Sequence, residues 1–319
     1  MVAEILKVAE TKLNGLAEIV TSLKVEEVKG SAREKVEIPL IFELPEKANI
    51  KEVYLDLSVM GITRKWRLYI GDFSLTKEFK PLITSEVYNN VISKFIFNIT
   101  PTKHVVLSDP TLRVINNSKE PIRILQASLV LFYEYEGLGR SEYFYGVSLK
   151  PYTAISGVTD PNKASYVYSV LFSKYLNDVN MKLGNCAKTF KIDNVGEVNL
   201  ECDRGGGYAI EGTNPFVPLT IIAGSYELSL PKLELDVKRN GNEIRVKVSN
   251  KGSKADSVIM IAYSSGRVLG RYTLGELREG ETKEIAINVK VDRNTIGIGI
   301  RVIWVKANLR DFVEKFVPL

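Results

Sequence analysis

The middle of this chain is written twice. Lys47-Ala48, Val53-Tyr54-Leu55, Leu68-Tyr69-Ile70-Gly71-Asp72 and Lys77-Glu78-Phe79 have an echo in Lys163-Ala164, Val167-Tyr168-Ser169, Met181-Lys182-Leu183-Gly184-Asn185 and Lys188-Thr189-Phe190. Farther on, Glu120-Pro121-Ile122-Arg123-Ile124 and Ala127-Ser128-Leu129 are echoed by Val217-Pro218-Leu219-Thr220-Ile221 and Gly224-Ser225-Tyr226. A repeat of this length is one closed unit built twice, not the short period of a solenoid. It points to architecture before catalysis. The second copy is shorter between its anchors, which makes Lys80–Asn90 an insertion in the first.

A chain of 319 residues has room for two or three domains. Its 45% hydrophobic and 25% charged content is that of a folded protein, which sets disorder aside. The net charge of +5 is spread along the chain. The densest basic run, Arg64-Lys65-Trp66-Arg67, is divided between two strand faces by alternation, so no nucleic-acid partner is expected. No apolar run reaches the ~18 residues of a membrane span. Glu4, Lys7, Glu10 and Lys12 interrupt any secretory signal, which leaves cytoplasm, virion, or a surface reached by another route or through a signal lying outside this sequence as locations. The bias towards Lys, Glu, Ile and Val suits a thermophile.

Val2, Leu6, Ala9, Leu13, Leu16, Val20 and Leu23 are spaced four and three apart, which predicts an amphipathic helix over residues 2–23. Ala3, Ile5, Ala17 and Ile19 widen its stripe. The helix is expected either to dock on its own chain or to oligomerise through Leu6, Leu13, Leu16 and Val20, with a membrane-surface helix or strands in its place as the remaining readings. After Gly30 the period becomes two. Val36, Ile38 and Leu40 alternate with polar residues, as do Val53, Leu55 and Leu57, and Ile122–Tyr135 is a long strand region. Turn residues at Pro45-Glu46, Gly61, Gly71-Asp72 and Asp109-Pro110 punctuate the runs, the pattern of antiparallel sandwiches. Beyond Pro231 a third unit shows seven short strands, with a hairpin signal at Asn240-Gly241.

That third unit resembles the CARDB-type immunoglobulin-like domains of archaeal and bacterial surface proteins. The resemblance rests on Ile244-Arg245-Val246-Lys247-Val248-Ser249-Asn250-Lys251-Gly252, on Val258 to Tyr263, on Leu274-Gly275-Glu276-Leu277 and on Ile285-Ala286-Ile287-Asn288-Val289. It implies a spacer or adhesion module with no catalytic motif. The two repeated units are similar to galactose-binding-like jelly rolls through Leu44-Pro45-Glu46, Leu55-Asp56-Leu57, Trp66-Arg67-Leu68-Tyr69-Ile70-Gly71-Asp72 and Ala127–Tyr133.

Little in the chain carries chemistry. Cys186 and Cys202 flank a turn at Asn194-Val195-Gly196 and are read either as buried thiols or as a disulfide. With His104 as the one histidine, neither a metal framework nor a His-based triad is expected. Asp56, Asp72, Glu134 and Glu136 are read as residues of solvated sheet faces. Gly205-Gly206-Gly207 reads as a flexible hairpin tip without the grip of a phosphate loop. Asn98-Ile99-Thr100 and Asn116-Asn117-Ser118 are glycosylation acceptors if the chain is exported. Exposed aromatics can stack on sugars, and Trp66, Tyr69, Tyr143 and Tyr145 are the candidate platform.

The expectation is therefore an all-β chain: residues 1–30 amphipathic helix and linker, 31–139 first jelly-roll-like sandwich, 140–231 second sandwich, 232–319 immunoglobulin-like sandwich. The expected role is a non-enzymatic structural or assembly protein of a virion or cell surface. It would work through self-association or protein partners, with no catalytic residues, metal or cofactor. Glycan binding is the alternative, and an enzyme with cryptic carboxylates the third reading.

Overall fold

A computed structural model describes residues 4–23, 26–30, 35–61, 65–75, 80–135, 138–227, 230–241, 243–264, 267–288, 297–306 and 309–318. Val2 and Ala3 of the heptad, Arg64, Lys77–Phe79 of the repeat, and Glu136 lie outside them. Strands make up 74% of the structure and helix 3%, all in antiparallel sheets, so the chain is all-β. Contacts divide it into two compact units, residues 1–43 with 47–227 and residues 44–46 with 228–319. The boundary drawn from sequence between residues 139 and 140 falls inside the first unit.

The first unit runs β1 (Leu6–Leu13), β2 (Gly15–Ser22), β3 (Glu26–Val28), β4 (Lys35–Pro39), β5 (Asn49–Met60), β6 (Trp66–Ile70), β7 (Phe73–Ser74), β8 (Ile83–Val87) and β9 (Asn90–Asn98). A short helix α1 (Lys103–Ser108) precedes β10 (Thr111–Asn116), β11 (Ile122–Glu134), β12 (Ser141–Val147), β13 (Tyr152–Val158), β14 (Ala164–Leu183), β15 (Cys186–Cys202) and β16 (Gly207–Tyr226). Three sheets result: β2-β11-β5-β9-β8 with β3 also on β11, β4-β10-β6-β7, and β1-β12-β16-β14-β15 with β13 also on β16.

The repeat is visible in this pairing. The first echo lies on β5 and β14, the second on β11 and β16, and β5 pairs with β11 as β14 pairs with β16. Gly71 and Gly184 hold the same turn conformation, each at φ 53°, which an L side chain adopts only with strain. The insertion in the first copy is β8 and its turn. Tyr88 and Asn89, at φ 49° and 64°, close a two-residue hairpin into β9. The Tyr88 hydroxyl donates to the Pro215 carbonyl at 2.9 Å, so the inserted hairpin reaches the second copy.

No helix forms at the N-terminus. Residues 6–13 are β1 on β12, and residues 15–22 are β2 on β11. The same residues carry a second periodicity of two: Ala9, Thr11 and Leu13, then Ala17, Ile19 and Thr21, alternate with Glu10, Lys12, Leu16, Glu18 and Val20. Ala9, Leu13, Ala17 and Ile19 pack on the core that joins the copies. Pairing on β12 and β11 takes up the inward-facing backbone groups of this segment while its apolar side chains join the core, and this overrides a marginal helical propensity already weakened by Gly15. A Cβ at Gly15 would run into the Tyr133 carbonyl oxygen, so only glycine passes there. The Ser141 hydroxyl meets the Leu13 and Gly15 carbonyls at 3.0 and 2.8 Å, fixing the crossing from one sheet to the other.

The second unit holds β17 (Leu233–Asn240), β18 (Glu243–Asn250), β19 (Ala255–Ser264), β20 (Arg267–Leu277), β21 (Thr282–Asn288), β22 (Gly297–Lys306) and β23 (Leu309–Pro318). A three-stranded sheet, β17-β18-β21, and a four-stranded sheet, β20-β19-β22-β23, bury Ile244, Val246, Val258, Met260, Ile300, Val302 and Trp304 between them. This is an immunoglobulin-like sandwich.

Candidate functional site

Alternation along β5 sends Val53, Leu55 and Leu57 to one face and Tyr54, Asp56 and Ser58 to the other. The first face packs on the sheet of β6 and β10, where Trp66 lies 4.9 Å from Phe95 between ring centroids. The second face turns towards β12, β14 and β16. Tyr54, Val130 and Phe132 of one sheet and Tyr143, Tyr145, Tyr168 and Val170 of the other form one core there.

A charged centre sits in that core. Asp56, Ser58, Lys94, Gln126, Tyr145 and Thr220 are all 0% exposed. The Lys94 ammonium touches Asp56 Oδ1 and donates to Ser58 Oγ at 2.9 Å, to Gln126 Oε1 at 3.0 Å and to Thr220 Oγ1 at 3.0 Å. Asp56 Oδ2 accepts from the Tyr145 hydroxyl at 2.7 Å and from the Thr220 hydroxyl at 2.8 Å. The Gln126 amide reaches Thr220 at 2.7 Å and Ser128 at 2.8 Å. Ser128 continues to Thr21 at 2.8 Å, and Thr21 to the Tyr168 hydroxyl at 2.5 Å. The network thus draws on β2, β5, β9 and β11 of one sheet and β12, β14 and β16 of the other. Burial pushes the Lys94 ammonium below its ordinary pKa, against the pull of Asp56. Burial, then the Asp56 charge, pushes the Tyr145 phenol well above its own.

The sequence-predicted platform residues do not form a surface. Tyr143 and Tyr145 lie inside this core, Trp66 is buried against Phe95, and Tyr69 is half-buried on the outer face of β6 opposite Arg113. Alternation had placed each of them on a strand but not which face was covered. Exposed rings stand elsewhere: Phe73 and Tyr175 singly in the first unit, and a pair in the second. On β23, Phe312 and Phe316 are 49% and 58% exposed. Arg301 of β22 lies 4.6 Å from the Phe312 ring centroid and 5.6 Å from that of Tyr263, and pairs with Glu314 at 3.2 Å. Of the proposed oligomerisation residues, Leu13 is buried, Leu6 is exposed, and Leu16 and Val20 are half-buried.

Cys186 and Cys202 are bonded, with Cα atoms 5.9 Å apart. They are the two ends of one strand, β15, whose middle bends at Asn194 (φ 66°). The glycine run is no free tip. A Cβ on Gly205 would strike the Asp160 carbonyl and the Ser165 and Thr159 hydroxyls, and Gly206 exchanges hydrogen bonds with Thr159. His104 is exposed on α1. Asp56, read from sequence as solvated, is buried, whereas Asp72 is exposed beside Arg113 and Glu134 pairs with Lys51 at 2.8 Å. Asn116 is buried, its amide donating to the Val28 and Glu120 carbonyls, so it is no glycan acceptor. A cleft of about 310 Å³ beside β12 and β16 is lined by Glu10, Glu142, Asp160, Lys163 and Tyr208. Glu10 pairs with Lys7, Glu142 with Lys12 and Lys163 with Glu227, and Asp160 accepts from the Asn162 amide. Among the described residues no group of three or more His, Cys, Asp or Glu is placed to hold a metal, and no helix is long and apolar enough to cross a membrane.

No family model matches the chain, and no curated protein matches it. Among solved structures it is similar to the β-glucuronidase of Ruminococcus gnavus in complex with D-glucuronic acid, at 10% identity over 57% of this chain and 36% of that one, with a TM-score of 0.22. The same enzyme in complex with uronic deoxynojirimycin gives 11% identity over 58% and 37%, again at 0.22. The chain spans little more than a third of the length of these enzymes, and a likeness this slight assigns neither activity nor substrate.

Proposed function

We propose that the chain is a non-enzymatic structural module of a cell-surface or virion assembly, acting through protein partners or copies of itself. The observation that supports this reading is the way the two sandwiches are tied. One N-terminal segment, residues 6–22, pairs with both sheets across the contact, and a buried charged network joins the same two sheets. The disulfide suits an oxidising compartment or a hot intracellular one. The spacer-type resemblance of the second unit fits the same role. Light scattering and electron microscopy of the full chain test it. Oligomers or filaments that grow with concentration are expected, and a strict monomer at every concentration overturns it.

A second reading, a glycan-binding face, is supported by Phe312, Phe316, Arg301 and Glu314. Sugars stack on exposed rings and hydrogen-bond to planar polar groups beside them. Glycan-array binding by the full chain that is lost in Phe312→Ala/Phe316→Ala is the expected sign. Binding unchanged in that variant dismisses the face.

A further inference from the structure

We propose that Lys94 and Asp56 condense to an amide, an intramolecular isopeptide bond cross-linking β9 to β5. The argument starts from the asymmetry of the Asp56 carboxyl. Oδ2 is held by two hydroxyl donors, Tyr145 at 2.7 Å and Thr220 at 2.8 Å. Oδ1 is touched by Lys94 Nζ alone, as an ion pair, and no hydroxyl or amide among the described residues donates to it. A buried ion pair that is merely structural needs its remaining lone pairs satisfied, because an unpaired buried acceptor keeps its full desolvation cost. An oxygen that departs does not.

The placement favours the reaction. Ser58 lies opposite Lys94 and Asp56 opposite Ile96, so the two side chains are diagonal neighbours on one face of adjacent strands. Both are fully buried, in a core closed by Tyr54, Phe132 and Tyr145. Desolvation favours the uncharged amine, the nucleophilic form. The ammonium passes a proton to Oδ1, turning the ion pair into an amine and a carboxylic acid. The nitrogen lone pair attacks Cγ while the charge developing on Oδ2 is held by the Tyr145 and Thr220 hydroxyls, the arrangement that stabilises acyl-transfer transition states. A second Nζ proton moves to Oδ1, the Cγ–Oδ1 bond breaks, and water leaves. One C–N bond forms, one C–O bond breaks, and nothing is oxidised or reduced. The product fits its surroundings: Oδ2 keeps both donors, and the amide N–H faces the acceptors of Ser58 and Gln126 that Lys94 already uses. Two buried charges disappear.

Mass spectrometry of the full chain, folded, then denatured and reduced, tests this. The expected mass is one water below that of the sequence. Tryptic mapping should show peptides joined through Asp56 and Lys94 and no cleavage after Lys94. In Asp56→Asn the lost mass becomes that of ammonia, and in Lys94→Arg it vanishes. If these variants fail to fold, the wild-type mass still decides, since the bond survives denaturation. A full sequence mass with ordinary cleavage after Lys94, in protein kept folded and warm, overturns the proposal. That result leaves the assembly reading untouched, because particle size is read separately.

Discussion

The two copies draw one strand order in different ways. In the first, the chain stops at each passage between sheets. β5 ends before Gly61 (φ 110°) and β6 begins at Trp66, and a turn separates β10 from β11. In the second, the same passages run through as β14, β15 and β16, continuous strands of 20, 17 and 20 residues. Their pairing shifts register at the bend, between Ser173 and Asn177 against β15 and between Phe172 and Val179 against β16, and just before it between Val170 and Leu171. A continuous bent strand keeps its ladder but leaves backbone groups unpaired at the corner. Buried Asn177 meets that need, donating to the Asn214 carbonyl at 2.6 Å and accepting from the Asn214 amide at 3.0 Å. The Cys186–Cys202 bond then ties together the far ends of β15. The first copy has no disulfide, and its buried asparagine, Asn116, serves a turn between two strands by donating to the Val28 and Glu120 carbonyls. Its singular feature is Asp56 and Lys94, on the face it turns to the second copy. The lesson is that one topology can be closed from inside a copy or across the contact between two.

Substitutions separate these two modes of closure. The largest effect is expected at the buried pair. Measured against the ion-paired protein before condensation, Lys94→Met or Asp56→Ala leaves one buried charge without its partner, which costs about 3–5 kcal/mol, and against the condensed protein the lost amide bond adds to it. Asp56→Leu/Lys94→Met removes both charges and recovers part of that loss. Urea unfolding read at two wavelengths measures it. Single variants with the wild-type midpoint would show that the copies are not joined through this network. The next effect is Cys186→Ser/Cys202→Ser. Opening a loop with a sequence separation of 16 should cost about 3 kcal/mol in the chain-entropy account. Because the bond lies within the second copy, the loss should match that of the reduced wild type. A variant as stable as the oxidised protein would place the closure of β15 in its packing alone.

Much of this fold was legible because alternation and turn residues are local. The strands bearing Val53, Leu55 and Leu57 and the echo on β14 and β16 follow from period two. The N-terminal segment misled because Leu6, Leu13, Leu16 and Val20 fit a period of 3.5 while Ala9, Thr11, Leu13, Ala17 and Ile19 fit a period of two. Only the availability of β11 and β12 as partners decides between them. The charged centre was illegible for a related reason. Tyr54, Asp56 and Ser58 alternate as a solvated face does, and what covers them comes from residues far along the chain, Tyr145 and Thr220. The cysteines were legible as a pair flanking a bend. That the bend lies within one strand was not.

The smallest expected effect lies at the edge of the contact between copies. Glu18 of β2 is pushed above its ordinary value of 4.5 by burial; burial also raises Tyr133 and Tyr166, and the Glu18 charge adds to both. Glu197 and Glu201 of β15 are raised by the same cause. A carboxyl raised in the folded state binds its proton more tightly there than in the unfolded chain. Below 4.5 both states are protonated and the penalty is absent. As pH rises through 4.5 towards the raised value, the unfolded chain ionises first and stability falls. Glu18→Gln removes that term. The variant should be more stable than the wild type at pH 7 and equal to it at pH 4, by thermal unfolding at both. The exposed Glu37 and Glu276, lowered by their basic partners, and Glu314, lowered by the Tyr263 hydroxyl and then by Arg301, carry the opposite slope but are common to both proteins, so the difference isolates Glu18. An equal gain at both pH values would mean that packing, not charge, limits the stability of this edge.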